Sequence, residues 1–244
     1  MTTTAIQAGI SITGLTKRYG RVTALDNLDL DLPAGGIVGL MGDNGAGKTT
    51  LLKILAGVLA DWAGQVTLFG QQTGPQTKAF TSFLPDVDFL PKHYRVEDAL
   101  NLYADFFQDF DQQRAATLIA GFELPTQRSL KTYSKGMREK LQIALTMSRK
   151  AKLYLLDEPI SGVDPASRSL IMENILAHYD EDALLIMSTH LITDIEPVAD
   201  RVVFMRNGQV MLQGDADELR ESYGMSIDNL FRKEYRNVRE TVEA

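Results

Sequence analysis

The sequence predicts an α/β fold: a mostly parallel sheet flanked by helices, with an antiparallel β layer beside it and a helical subdomain inserted into it. Three observations carry that prediction. The apolar run Ile37 to Met41 is followed by a glycine-rich turn and then by Leu51, Leu52, Ile54 and Leu55 at helical spacing, so strand, loop and helix are laid end to end. Two further apolar runs, Leu153 to Leu156 and Ala183 to Met187, show no alternation, as strands buried on both faces do. Ile10-Ser11-Ile12, Leu28 to Leu32 and Gln65 to Phe69 instead alternate apolar with polar residues, the mark of half-exposed antiparallel strands.

Tyr19 is expected in a turn between the first two alternating strands, where an aromatic ring either stacks on a purine base or caps the sheet. The glycine turn that follows the third strand is the most informative stretch. Gly42, Gly47, Lys48 and Thr49 match GxxxxGK[ST], a phosphate-binding loop. Glycines let successive backbone N–H groups converge on phosphate oxygens, Lys48 reaches the β and γ phosphates, and the Thr49 hydroxyl ligates Mg²⁺. The positive end of the helix starting near Thr49 points at the same anion.

From Tyr94 onward Val96, Ala99, Leu100, Leu102, Tyr103, Phe106 and Phe107 recur at helical spacing, and Ala115 to Phe122 predicts a second helix. This insertion carries aromatic residues to bury and lacks the Gly/Ser richness of a linker, so it is expected to be a subdomain, approximately residues 87–150. Ser134 is placed to N-cap the amphipathic helix that runs through Leu141, Ile143, Ala144, Leu145 and Met147, and a capped N-terminus is also an anion site.

The apolar strand Leu153 to Leu156 ends in Asp157 and Glu158, which a parallel sheet delivers to the ligand crevice. Asp157 is thereby expected beside the Mg²⁺ held by Thr49, and Glu158 one residue beyond is placed to polarise a water toward the γ phosphate. Asp164-Pro165 starts the next helix as N-cap and first position. His190 stands at the C-terminal end of the strand Ala183 to Ser188, at the crevice edge, and is expected to sense phosphate, whereas His93 and His178 lack that placement and are expected at the surface. Arg201 to Met205 and Gln209 to Gln213 flank Asn207-Gly208, a hairpin signal. Residues 215–244 form a charged C-terminal helical extension with Leu230, Phe231 and Tyr235 on one side, either peripheral or facing a dimer partner.

Composition narrows the function classes. With 244 residues, 44% hydrophobic and 23% charged, the chain has the make-up of an ordinary globular protein able to bury a substantial core. A formal net charge of −7 argues against a nucleic-acid partner, which calls for clustered Lys and Arg. Without cysteine, disulfides, thiolate metal sites and thiol nucleophiles are excluded. The N-terminal stretch Met1 to Ile10 does not read as a secretory signal, and no run approaches the ~20 apolar residues that span a bilayer. A cytoplasmic chain is expected, reaching a membrane only through a partner.

These motifs, in this order, resemble the nucleotide-binding subunit of an ATP-binding cassette (ABC) transporter, and the resemblance covers nearly the whole chain. Tyr19 matches the family's adenine-stacking aromatic; Gly42, Asp43, Asn44, Gly45, Ala46, Gly47, Lys48 and Thr49, with Thr50 after them, match its Walker A loop. Tyr133 to Met137 falls at its LSGGQ signature, Leu153 to Glu158 at Walker B with the catalytic glutamate, Ser161 to Asp164 at the D-loop, and His190 at the switch histidine. The signature departs from the family in Lys135 and Met137 but keeps Ser134 and Gly136, which the family uses to hold the γ phosphate of the opposite subunit's ATP. The Q-loop glutamine is replaced by Asp86, which can ligate Mg²⁺ more strongly than an amide but cannot donate a hydrogen bond when ionised.

The resemblance implies a P-loop NTPase core over residues 1–244, with ATP and Mg²⁺ as ligands. Lys48, Glu158 and His190 would be the catalytic residues, and Thr49, Asp86 and Asp157 would hold the metal. It further implies a head-to-tail homodimer or heterodimer of cassettes on an integral membrane permease at the inner face of the cell membrane. Lys-Gly in the signature and the Ser148 to Lys152 run are similar to exporter-type ATPases of Gram-positive bacteria. Two other classes compete: a soluble ABC ATPase of cofactor or complex assembly, and a nucleic-acid- or ribosome-acting ABC protein, which typically carries two cassettes or long coiled coils.

Overall fold

A computed structural model describes residues 8–242. In chain order the elements are β1 (Ala8–Tyr19), β2 (Val22–Pro33), β3 (Gly36–Met41), α1 (Lys48–Leu55), β4 (Ala63–Leu68), β5 (Gln71–Gln72), α2 (Pro75–Ala79), β6 (Thr81–Leu84), α3 (Val96–Phe106) and α4 (Gln112–Gly121). A 3₁₀ turn at Leu130–Thr132 precedes α5 (Lys135–Met147), β7 (Leu153–Asp157), α6 (Pro165–His178), β8 (Leu184–Thr189), α7 (Ile192–Ile195), β9 (Arg201–Arg206), β10 (Gln209–Asp215), α8 (Ala216–Tyr223) and α9 (Ile227–Val242).

The strands make two sheets. One is the expected antiparallel layer, in the order β2-β1-β4-β5, and the other runs β10-β9-β3-β8-β7-β6 with only the β9–β10 pair antiparallel. Alternate side chains of the central strands enter two cores, which is why those runs read as uniformly apolar. Val38, Leu40, Leu155 and Ile186 join α1 and the antiparallel layer on one side, while Met41, Leu156, Leu185 and Met187 join α3 to α6 and α9 on the other.

Register decides where the crevice opens. Met41 pairs with Thr189, and Asp157 with Ser188, so β3, β8 and β7 end level with one another. The next residues, Gly42, His190 and Glu158, therefore emerge together at the carboxyl edge of the sheet.

The hairpin prediction at Asn207-Gly208 is met by φ of 48° and 77°, the positive values a two-residue primed turn requires. Tyr19 corrects its expected place. It closes β1 opposite Val22 and is not part of the turn, because Gly20 at φ 57° lets Gly20-Arg21 alone reverse the chain. Four short elements, β5, α2, β6 and α7, have no counterpart in the expectations from sequence. The insertion between β6 and β7 contains α3, α4 and α5, and one buried cation ties it to the sheet. Arg149, 3% exposed, forks onto Asp109 at 2.9 and 3.0 Å, donates to the carbonyls of Thr81 at 2.6 Å and Ala79 at 2.7 Å, and lies 4.1 Å from the centre of the Phe107 ring.

Candidate active site

The phosphate loop joins β3 to α1. Gly45 and Gly47 take φ of 85° and 104°, and a Cβ at Gly47 would stand 2.7 Å from the Ala24 carbonyl, so glycine is required there on both counts. The loop is held from outside by the hairpin, since the Gly208 N–H donates to the Ala46 carbonyl at 3.0 Å. Lys48 is buried at 6% exposure, and its ammonium donates to the carbonyls of Gly42 at 2.6 Å and Asp43 at 3.3 Å.

Around this lysine the expected acids and histidine converge. Glu158 Oε1 lies 3.5 Å from Lys48 Nζ without a hydrogen bond, and Glu158 Oε2 lies 2.8 Å from His190 Nδ1. Glu158 sits at φ 51°, a left-handed conformation that strains a residue with a side chain. Its backbone is pinned to hold it there. The Glu158 N–H donates to Ser188 Oγ at 3.0 Å, and Ser161 Oγ donates to the Glu158 carbonyl at 3.1 Å.

Thr49 Oγ1 and Ser188 Oγ both donate to Asp157 Oδ1, at 3.1 and 2.7 Å, leaving Asp157 Oδ2 buried with no partner. A hydroxyl and an orphaned carboxylate oxygen are hard donors, so the pair fits a hard divalent cation such as Mg²⁺. Among the described residues no cluster of three or more His, Cys, Asp or Glu is grouped to hold a metal. Asp86 follows β6, and its partial burial first, then the charges of Asp157 and Glu158, hold its carboxyl above the usual carboxylate range.

A cavity of about 110 Å³ lies over the loop, lined by Asp43, Asn44, Gly45, Ala46, Gly47, Lys48 and Thr49, and from outside the loop only by Asp86 and Glu158. Thr50 follows in the first turn of α1. A larger cleft of about 450 Å³ adjoins it between Asp86, Asp157 and Glu158 and the α5 side chains Lys135, Arg138 and Glu139. Asp88 bridges its walls, accepting from Gln142 Nε2 at 2.8 Å and pairing with Arg138 at 2.8 Å.

The remaining expected residues lie apart. Ser134 caps α5 by accepting from the Met137 N–H at 3.1 Å, and both it and Gly136 are outside the loop cavity. Asp164 caps α6 by accepting from the Ser167 N–H at 3.0 Å, and hydrogen bonding to Ser167 holds its carboxyl below the usual range. Tyr19 is 47% exposed, with Lys17 Nζ 5.4 Å from its ring centre. Lys135, the departure in the signature, pairs with Glu139 at 3.5 Å, and the pair packs over Gly162, where a Cβ would fall 2.8 Å from Lys135 Nζ.

The family model for the ABC transporter matches residues 25–161, from β2 through the Walker B acids. The chain belongs to the ABC transporter family. Over 229 residues the cassette is 32% identical to the daunorubicin/doxorubicin resistance ATP-binding protein DrrA of Streptomyces peucetius, covering 89% of this chain and 68% of that one. It is 28% identical to the Nod factor export ATP-binding protein I of Cupriavidus metallidurans, over 96% of this chain and 80% of that one. A solved structure of the ATP binding subunit of an ABC transporter superposes with a TM-score of 0.83 at 26% identity, covering 93% of this chain and 99% of that chain. The cassette is thus an ATP-binding subunit of the ABC transporter type, an α/β ATPase, and no helix among its described residues is long and apolar enough to cross a membrane.

Sequence reasoning missed Ser188, the residue that orients both Walker B acids. A serine inside an apolar strand was the available signal. It also missed Gly208 and Tyr235, which reach the phosphate loop from the far end of the chain.

Proposed function

We propose that two cassettes, identical or related, close head to tail on ATP and Mg²⁺, and that closure drives a separate membrane permease in the direction of export. The observation that carries this reading is the separation within one chain: the capped N-terminus of α5, with Ser134 exposed, lies outside the cavity over the phosphate loop. Such a helix end is an anion site that a second chain's loop completes. Asp164, capping the adjacent α6, belongs to the same face in this reading.

Loop N–H groups and Lys48 hold the phosphates, with Tyr19 against the adenine. Thr49, Asp157 and Asp86 are the residues that would hold Mg²⁺, which when bound neutralises phosphate charge. Glu158 takes the proton of the attacking water as the bond from the γ phosphorus to ADP breaks, and His190 orients Glu158 and senses the γ phosphate. The names of the Streptomyces and Cupriavidus relatives, one for drug resistance and one for export, support the direction and, with it, a place at the membrane through the permease.

Light scattering tests the arrangement. Glu158→Gln with Mg-ATP is expected to dimerise, and the same chain with Ser134→Arg is expected to remain monomeric. A Ser134→Arg chain that dimerises equally well refutes the head-to-tail site. Extraction of membranes with mild detergent is expected to bring down an integral protein together with the cassette, and a cassette found only in the soluble fraction refutes the permease partnership.

A further inference from the structure

The C-terminal extension is bound to the phosphate loop through one phenol. Helix α9 begins where the carboxylate of Glu196, just past α7, accepts from the N–H groups of Ile227 at 2.7 Å and Asp228 at 3.3 Å. Ile227 and Leu230 are fully buried, and Phe231 packs edge-on against Phe204 of β9 at 5.2 Å. The Tyr235 ring lies 4.1 Å from that of Phe231 and 5.2 Å from the Arg206 guanidinium, and Arg206 also donates to the Tyr235 carbonyl at 3.2 Å. So held, the Tyr235 hydroxyl donates to the Met205 carbonyl and accepts the N–H of Asp43 at 3.2 Å.

That N–H and the Gly42 carbonyl are two ends of one planar peptide. The carbonyl end accepts Lys48 Nζ at 2.6 Å. Gly42, having no Cβ, leaves this peptide free to rotate unless something outside the loop fixes it. Space confirms how closely the neighbours approach: a Cβ at Gly42 would stand 2.5 Å from the Met205 carbonyl and 3.2 Å from Tyr235 Oη. Fixing the N–H end fixes the direction of the carbonyl, and with it the seat of the lysine ammonium.

We propose that Tyr235 is a positioning residue for phosphate binding: it locks the Gly42-Asp43 peptide so that its carbonyl holds Lys48 in place at the loop. This rests on the nucleotide reading of the loop, which wild-type ATP binding and its loss in Lys48→Ala check separately. Tyr235→Phe keeps the ring and removes only the hydroxyl. Loss of one hydrogen bond of ordinary strength corresponds to about a three- to tenfold rise in the Kd for Mg-ATP, with a circular dichroism spectrum unchanged.

A double-mutant cycle separates this role from a structural one. In an Asp43→Ala background, which retains the N–H, Tyr235→Phe is expected to cost the same factor. In an Asp43→Pro background there is no N–H to hold and the ring itself limits φ, so Tyr235→Phe is expected to change Kd by less than about 1.5-fold. Equal losses in the two backgrounds, or no loss in either, overturn the proposal. Amide hydrogen exchange in the wild-type chain provides a test independent of any variant's folding. The Asp43 N–H, on an exposed residue, is expected to be protected by about a hundredfold or more, and exchange at the unprotected rate overturns the proposal.

Discussion

Replacing Glu158 with glutamine should do two opposite things at once. The carboxylate proposed to take the proton from water is lost, so turnover is expected to fall by about 10²- to 10⁴-fold. The same carboxylate stands 3.5 Å from Lys48 Nζ and so competes with phosphate for the ammonium. Two unit charges at that spacing attract by ~1 kcal/mol in a water-like dielectric and by ~5 kcal/mol at an effective dielectric of 20. The two side chains are only 6% and 10% exposed, so the higher attraction applies, but desolvation of the pair offsets most of it and leaves a net ~1 kcal/mol. A gain of ~1 kcal/mol corresponds to ATP binding tightened by about fivefold. Stopped-flow fluorescence with a labelled ATP analogue measures affinity, and phosphate release measures turnover. Weaker binding in Glu158→Gln would refute the competition, and turnover near wild-type would refute the proton-accepting role.

Three further outcomes are expected. Lys48→Ala removes the buried cation proposed to meet the phosphates and is expected to abolish ATP binding by calorimetry; an unchanged Kd would sink the loop assignment. Arg149→Ala leaves Asp109 and the carbonyls of Thr81 and Ala79 without their shared donor, and thermal unfolding is expected to report a loss of about 3–5 kcal/mol, with a small change in Tm counting against the node. Burial pushes the Glu139 carboxyl above its ordinary 4.5, opposed by Lys135. Because the folded chain then holds that proton more tightly than the unfolded one, the stabilising contribution is complete below about pH 4.5 and is lost as pH rises through the folded value. Glu139→Gln is therefore expected to melt above wild type at pH 7 and to converge with it near pH 4; an offset independent of pH would refute the assignment.

Much of the site was legible because its chemistry is local in the chain. The Walker A turn, the Asp157-Glu158 pair and His190 each sit at the end of an apolar strand, and parallel register brings such ends together without further information. The antiparallel layer and the hairpin were equally legible, from period-two alternation and from Asn207-Gly208. What stayed hidden depends on long-range partners. Strand β6 is four residues long and is held by Arg149 and by Ser82 Oγ on the Thr146 carbonyl, contacts that no window of sequence contains. The left-handed backbone of Glu158 has no residue signature at all, since it is imposed by Ser188 and Ser161. Tyr235 was visible as one apolar position among three, and only its partner, an amide from near the other end of the chain, distinguishes it.

The hairpin that braces Ala46 carries a consequence for biosynthesis. A ribosome makes the lysine-bearing turn well before the Gly208 amide and the α9 helix that steady it. At ~5–20 residues per second, the interval between Lys48 and Tyr235 is about ten to forty seconds, during which the nascent chain carries an unbraced loop. A stalled chain ending before residue 208 should therefore hold ATP more weakly than one that extends past Tyr235, so full nucleotide affinity would follow synthesis of these distant braces.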